Sequence, residues 1–157
     1  MITVLIGVAG AGKTTIGRAL ARATGARFLE GDELHPPENV AKMARGEPLD
    51  DRDRAPWLEA IAKEIDAAIA RGEDLVVACS ALKRAYRDVL RRPETRFVLL
   101  EVPADEAKKR VASRVGHFFP PELVQSQTET LEEADAGTSR VDATLPVERV
   151  VGEIAGR

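Results

Sequence analysis

Residues 7 to 14 read Gly7-Val8-Ala9-Gly10-Ala11-Gly12-Lys13-Thr14 and fit the spacing Gly-x-x-x-x-Gly-Lys-Ser/Thr of a phosphate-binding loop. The glycines let backbone N–H groups turn toward phosphate oxygens, and a helix beginning at Lys13 adds the partial positive charge of its N-terminus. We expect Lys13 to reach the β- and γ-phosphates and the Thr14 hydroxyl to ligate Mg²⁺. The pattern therefore predicts Mg-ATP binding through this stretch and the following Thr15.

The loop is flanked by an alternation of apolar runs and helical patterns. The apolar runs predict strands at 2–6, 27–30, 75–79 and 97–102, with a weaker one at 141–144. Helical patterns cover 13–23, 54–71, 83–92, 104–114, 120–131 and 147–154. In the longest of these, Asp53 is the expected N-cap and Gly72 the expected stop.

This alternation predicts an α/β fold of three layers, in which a parallel sheet of five strands is covered by helices on both faces. Such sheets bind ligands beyond the carboxyl ends of their strands, where the phosphate loop also falls. A length of 157 residues predicts one domain over 1–157.

Composition restricts the classes of partner. The single cysteine excludes an internal disulfide and fits a reducing compartment. The first residues lack the basic segment of a secretion signal, and no apolar stretch reaches transmembrane length. A net charge of −3 argues against a nucleic-acid partner. We therefore expect a cytoplasmic protein with no membrane or nucleic-acid partner and a small-molecule substrate.

Two acids, Glu30 and Asp32, follow the second predicted strand and would face the phosphate loop across the sheet. One of them can orient a substrate hydroxyl or accept its proton, because phosphoryl transfer depends mainly on positioning and charge stabilisation. The alternative is an acidic loop that faces solvent.

Beyond this point the chain resembles the gluconokinase family. The matching segments are 30–36 (EGDELHP, against the pattern DGDxLHP), Asn39, 42–43 (KM), 46–49 (GEPL), 51–58 (DRDRAPWL), 79–83 (CSALK), 86–88 (YRD), 116–119 (GHFF), 126–127 (SQ) and 130–132 (TLE). The resemblance implies transfer of the ATP γ-phosphoryl group to O6 of gluconate on a shikimate-kinase-like fold. Two departures stand out: Glu30 replaces the first acid of the pattern, and an expected proline after Glu132 is missing.

The resemblance also implies roles for individual residues. Because Glu30 departs from the pattern, Asp32 is the expected catalytic acid and metal ligand, with Thr14 and Ser80 as further metal candidates. The expected substrate contacts are Asp32, His35, Arg54, Lys83, Arg87 and His117. A mobile lid at about 114–126 would bring Arg114 to the transferring phosphoryl group, while Arg110 would lie against the adenine.

Structural interpretations of the same residues stay open at this stage. His35 can serve as a turn residue, and Trp57 and Cys79 as core. The start of the long helix can consist of capping acids and a solvated Arg52. Three other functions are also open: a kinase for another small acid such as shikimate, a nucleoside monophosphate kinase, and a non-catalytic nucleotide-binding module. A homodimer is expected only from the family.

Overall fold

The computed structural model describes residues 1–113, 122–131 and 137–156. The strands are β1 (Ile2–Ile6), β2 (Arg27–Glu30), β3 (Leu75–Cys79), β4 (Thr95–Glu101) and β5 (Ser139–Asp142). The helices are α1 (Lys13–Thr24), α2 (Pro37–Ala44), α3 (Asp51–Ala70), α4 (Arg84–Leu90), α5 (Ala104–Ala112), α6 (Glu122–Thr130) and α7 (Val147–Ala155). A 3₁₀ turn covers Gly31–Leu34.

The five strands form one sheet in the order β2-β3-β1-β4-β5, and every neighbouring pair is parallel. The register brings the last residues of three strands within one position of each other, since Cys79 pairs with Ile6 and Ala78 pairs with Glu30. The phosphate loop after β1 and the acids after β2 therefore leave the same edge of the sheet. The predicted α/β class and parallel sheet are confirmed.

Alternate residues of the strands pack on opposite faces, which makes the predicted three layers. On one face, Leu5 and Val76 join a core with residues of α1, α5 and α7. On the other face, Val4 and Val77 join a core with residues of α3 and α4, including Trp57. The central strands are buried on both sides for this reason, which explains their continuous apolar sequence.

Helix α3 begins earlier than predicted, and the expected N-cap is wrong. Asp50 is the N-cap: its carboxylate accepts from the Asp53 amide at 2.8 Å, and Asp53 Oδ2 accepts from the Asp50 amide at 2.9 Å. This reciprocal arrangement is a capping box, with aspartate at the third helical position. Asp53 is thus the second residue of the capping box and not the N-cap.

Two other features differ from the sequence-based expectation. The helix α2 and the 3₁₀ turn were not predicted, because Pro36 and Pro37 look like a turn signal although a proline starts a helix well at its first position. Strand β5 ends at Asp142, whose carboxylate accepts from the Thr144 amide at 2.9 Å and so turns the chain. Of the predicted lid, 114–121 lies outside the described residues, and 122–126 belongs to α6.

No helix within 1–113, 122–131 or 137–156 has both the length and the apolar character needed to cross a membrane.

Candidate active site

The phosphate loop lies between β1 and α1, and its shape depends on Gly10. Gly10 has φ +85, in the left-handed region, and a Cβ built there would lie 2.4 Å from the carbonyl oxygen of Ala107 in α5. Any side chain at this position would therefore meet both backbone strain and a rigid neighbour. The loop is packed directly against α5.

Lys13 holds the loop from inside. Its Nζ donates to the carbonyl oxygens of Gly7 and Val8, both at 2.8 Å, and the side chain is buried. A lysine in this position keeps a positive charge within the curve of the loop, where the phosphates of a nucleotide would lie. Lys13 thus lies inside the loop, and its contact with phosphates stays a prediction. Thr15, on the first turn of α1, is exposed.

Two residues from distant parts of the chain form hydrogen bonds to the backbone of the phosphate loop. Gln127 of α6 accepts from the Ala9 amide through Oε1 at 2.6 Å, and it is almost fully buried. Arg110 of α5 donates to the carbonyl oxygens of Gly10 at 3.2 Å and Ala143 at 3.1 Å. Arg110 therefore lies beside the loop and the segment after β5; its contact with adenine stays a prediction.

The carboxylate beside Thr14 is that of Glu30, the acid that departs from the family pattern. Thr14 Oγ1 donates to Glu30 Oε2, and Glu30 Oε1 accepts from the Asp32 amide at 3.3 Å. Burial raises the pKa of Glu30, and the Thr14 hydrogen bond opposes that shift. These oxygens are of the kind that Mg²⁺ prefers, so the candidate metal ligands become Thr14 and Glu30 together with the predicted Asp32.

Gly31 lets the two acids approach β3. A Cβ at Gly31 would lie 2.4 Å from the Ala78 carbonyl oxygen, so this position tolerates no side chain without a shift of backbone. Its own carbonyl accepts from Trp57 Nε1 at 2.8 Å. Glycine at position 31 therefore allows the chain that carries Glu30 and Asp32 to lie close to the end of β3.

His35 lies between Trp57 and Asn39. Its ring stacks on Trp57 with centroids 4.3 Å apart and an interplanar angle of 12°, and its Nδ1 lies 3.1 Å from Asn39 Nδ2. Burial lowers the pKa of His35 to about 4; Asp32 raises it and Arg54 lowers it by smaller amounts. The imidazole is therefore neutral near pH 7, and both Asp32 and Arg54 are close enough to influence it.

A polar cluster joins the starts of α3 and α4 and consists of Asp51, Arg54, Lys83 and Tyr86; we call it the α3–α4 cluster. Asp51 accepts from Lys83 Nζ at 3.0 Å and from the Tyr86 hydroxyl. Arg54 donates to the Tyr86 oxygen at 3.2 Å and to the Leu49 carbonyl at 2.7 Å. The cluster contains two cations and one carboxylate, so it carries an excess positive charge.

Arg87, one of the expected substrate contacts, is a buried residue of α4. It has no exposed surface, and its guanidinium donates to the carbonyl oxygens of Ala81 at 3.1 Å and Leu82 at 2.9 Å. It therefore supports the loop between β3 and α4, and its contact with a substrate stays a prediction. Ser80 is half-buried in the same loop, next to the carboxyl end of β1.

Cys79, the last residue of β3, is fully buried. Burial raises the pKa of its thiol, so the side chain stays protonated and is part of the core, as expected for an apolar strand.

The structure thus brings most of the predicted residues to one edge of the sheet, while Arg114 and His117 lie outside the described residues. Sequence reasoning assigned no role to Gln127, Asn39 or Tyr86. All three lie in segments that resemble the gluconokinase pattern, and this resemblance was the only feature of the sequence that could have indicated a role for them. Their contacts, which lie across the fold in the case of Gln127 and Ala9, were not visible in the sequence.

Gln127→Leu should raise KM for ATP by about 5- to 30-fold, since it leaves the Ala9 amide without its acceptor and frees the loop to move. The measurement is initial-rate kinetics at varied ATP. Gln127→Glu keeps an oxygen acceptor and should stay near the wild-type value. Equal effects of the two variants would contradict the assigned hydrogen bond.

Known proteins resemble this chain in sequence and in fold. The shikimate kinase family profile matches residues 9–141. The chain is 42% identical over 155 residues to the thermoresistant gluconokinase of Escherichia coli K12, covering 96% of this chain and 89% of that one. It is 46% identical over 131 residues to the gluconokinase of Gluconobacter oxydans 621H, covering 82% and 74%. The crystal structure of a gluconokinase from Sinorhizobium meliloti 1021 superposes with a TM-score of 0.83 at 46% identity, covering 96% of this chain and 87% of that chain. This chain therefore belongs to the gluconokinase family of ATP-dependent, shikimate-kinase-like kinases.

Proposed function

We propose that this kinase transfers the γ-phosphoryl group of Mg-ATP to O6 of D-gluconate in the cytoplasm. The observation that carries the proposal is that the region proposed for the acceptor substrate has an acidic end and a basic end. Glu30 and Asp32 lie at the acidic end, beside the phosphate loop, and the α3–α4 cluster lies at the basic end. Gluconate has the matching chemistry, with a primary hydroxyl at one end and a carboxylate at the other.

The basic end favours a carboxylate. Arg54 is nearly buried, and its described donors bind a carbonyl and a phenol oxygen but no acid. An arginine held in this way can present its remaining N–H groups to a substrate carboxylate as a fork. Lys83 lies nearby on the same Tyr86 ring, with Nζ 5.5 Å from the ring centroid, and adds a second positive charge.

At the acidic end, Asp32 is the residue proposed to orient the acceptor hydroxyl and to take its proton. Thr14 and Glu30 provide oxygens suited to Mg²⁺, which would neutralise phosphate charge when it is bound. Lys13 stabilises the charge that spreads over the equatorial oxygens during transfer. Arg114 and His117 are proposed to complete the site from the lid, as the family resemblance implies, and assembly as a homodimer is likewise proposed from the family.

The test is ADP release from Mg-ATP by purified protein with D-gluconate, shikimate or AMP as acceptor. We expect strong stimulation by gluconate alone, and a product whose phosphorus couples to two protons, as a phosphate on a primary carbon does. Stimulation by shikimate would support the other small-acid kinase of this fold. ATP binding with no stimulation by any acceptor would refute transfer and leave a nucleotide-binding module.

Arg54→Ala should raise KM for gluconate by about 10- to 100-fold, because a hydrogen bond to a charged group is lost. KM for ATP should change little, since Arg54 lies away from the phosphate loop. Arg45→Ala removes an exposed arginine that pairs with Glu47 at 3.1 Å and serves as the control. An increase confined to KM for ATP would contradict the assignment.

A further inference from the structure

The ring of His35 is held on one face and one edge. Trp57 covers the face, and Trp57 is itself fixed by its hydrogen bond to the Gly31 carbonyl. Asn39 occupies the edge, with its amide nitrogen 3.1 Å from Nδ1. A ring constrained in this way presents its other nitrogen, Nε2, in a defined direction.

The orientation of the Asn39 amide follows from its second contact. Asn39 Nδ2 lies 2.8 Å from the carbonyl oxygen of Asp53, which can only accept a hydrogen bond. The NH₂ group must therefore face Asp53, and the same nitrogen then faces His35. Because this nitrogen can only donate, Nδ1 of His35 must be the acceptor and carries no proton.

The tautomer of His35 is thereby fixed as the neutral form protonated at Nε2. Within 1–113, 122–131 and 137–156, no residue makes a hydrogen bond to Nε2. Among the described side chains, only Thr138 Oγ1 is both buried and unpartnered. His35 is only half-buried, and Nε2 is the ring nitrogen left for a ligand.

We propose that Asn39 is a positioning residue that sets His35 as a neutral hydrogen-bond donor from Nε2 to an oxygen of the acceptor substrate. The backbone N–H of His35 donates to the Asp32 carbonyl at 3.3 Å, and its partner Asn39 binds the carbonyl of Asp53, the residue before Arg54. His35 therefore lies between the acidic and basic ends. Its partner would be a hydroxyl of a polyhydroxy acid. This inference rests on the proposed function for the identity of the ligand, but the tautomer itself does not.

The first measurement is long-range ¹H–¹⁵N correlation NMR on the ¹⁵N-labelled protein near pH 7 without substrate. The chain has two histidines, so His35→Gln identifies the His35 signals by their loss. We expect the pattern of a neutral ring protonated at Nε2. In Asn39→Asp the carboxylate can only accept, so the proton should move to Nδ1 or the ring should become an imidazolium. An Nδ1–H pattern in the wild-type protein would overturn the inference.

The second measurement uses two variants that differ only in where an amide is placed. Glutamine puts its NH₂ group near the position of Nε2, whereas asparagine places it near Nδ1. We expect His35→Gln to keep KM for gluconate within about threefold, and His35→Asn and Asn39→Asp to raise it roughly tenfold, with KM for ATP unchanged. Circular dichroism confirms that each variant is folded.

The outcomes separate the two claims. Equal KM values for His35→Gln and His35→Asn would overturn the donor role even where the NMR pattern is as expected. If gluconate does not stimulate the enzyme at all, the proposed function fails, whereas the NMR result on the free protein still decides the role of Asn39.

Discussion

Lys13→Ala is expected to lower kcat for gluconate-dependent ADP release by about 1,000-fold, because it removes the charge that the phosphate loop encloses. The same change deletes two hydrogen bonds to the carbonyl oxygens of Gly7 and Val8, so the empty loop should also lose its shape. KM for ATP should therefore rise together with the fall in kcat. Steady-state kinetics at varied ATP and saturating gluconate measures both quantities.

Lys63→Ala is the matched control, since it removes a lysine from an exposed position of α3. It should leave kcat and both KM values unchanged. A Lys13→Ala enzyme that retained kcat within tenfold of the wild type would show that the loop lysine does not stabilise the transferred group.

Trp57→Ala is expected to lower the free energy of unfolding by about 3–5 kcal/mol, the range found when a buried aromatic side chain is truncated. Trp57 is only 1% exposed and belongs to the core between the sheet and α3. Its loss also removes the hydrogen bond to Gly31 and the support for His35. Urea unfolding followed by circular dichroism measures the change, because the variant lacks the only tryptophan.

Trp57→Phe separates the contribution of packing from that of the hydrogen bond to Gly31. It keeps a stacking surface for His35 but leaves the Gly31 carbonyl without its donor, so we expect a loss of about 1–2 kcal/mol. An alanine variant no less stable than the phenylalanine variant would contradict the view that packing dominates at this position.

The sequence was sufficient for the fold because its signals are local. Each buried strand is a short apolar run, and the phosphate loop has a pattern that works only between a strand and a helix. The predictions for Lys13 and Thr14 rest on that pattern, and the structure places both at the loop. The start of α3 was missed by three residues because Asp50 and Asp53 are both good caps, and only the reciprocal hydrogen bonds distinguish them.

The finer features of the site depend on contacts between distant segments. Gln127 and Ala9 are separated by 118 positions, and no periodicity relates them. Arg87 was an expected substrate contact, but its guanidinium is buried and donates to the carbonyl oxygens of the loop that precedes α4. Glu30 was set aside because it departed from the family pattern, although its extra methylene still brings the carboxylate to Thr14.

The thiol of Cys79, the only cysteine, can be used to measure how often the protein opens. Cys79 has no exposed surface and ends β3, which lies between β2 and β1, so a thiol reagent reaches it only when this part of the sheet opens. The labelling rate then follows the population of open molecules. Any ligand that binds the closed form alone should slow labelling by the same factor by which it reduces the unliganded fraction, about 100-fold at a concentration 100 times its Kd.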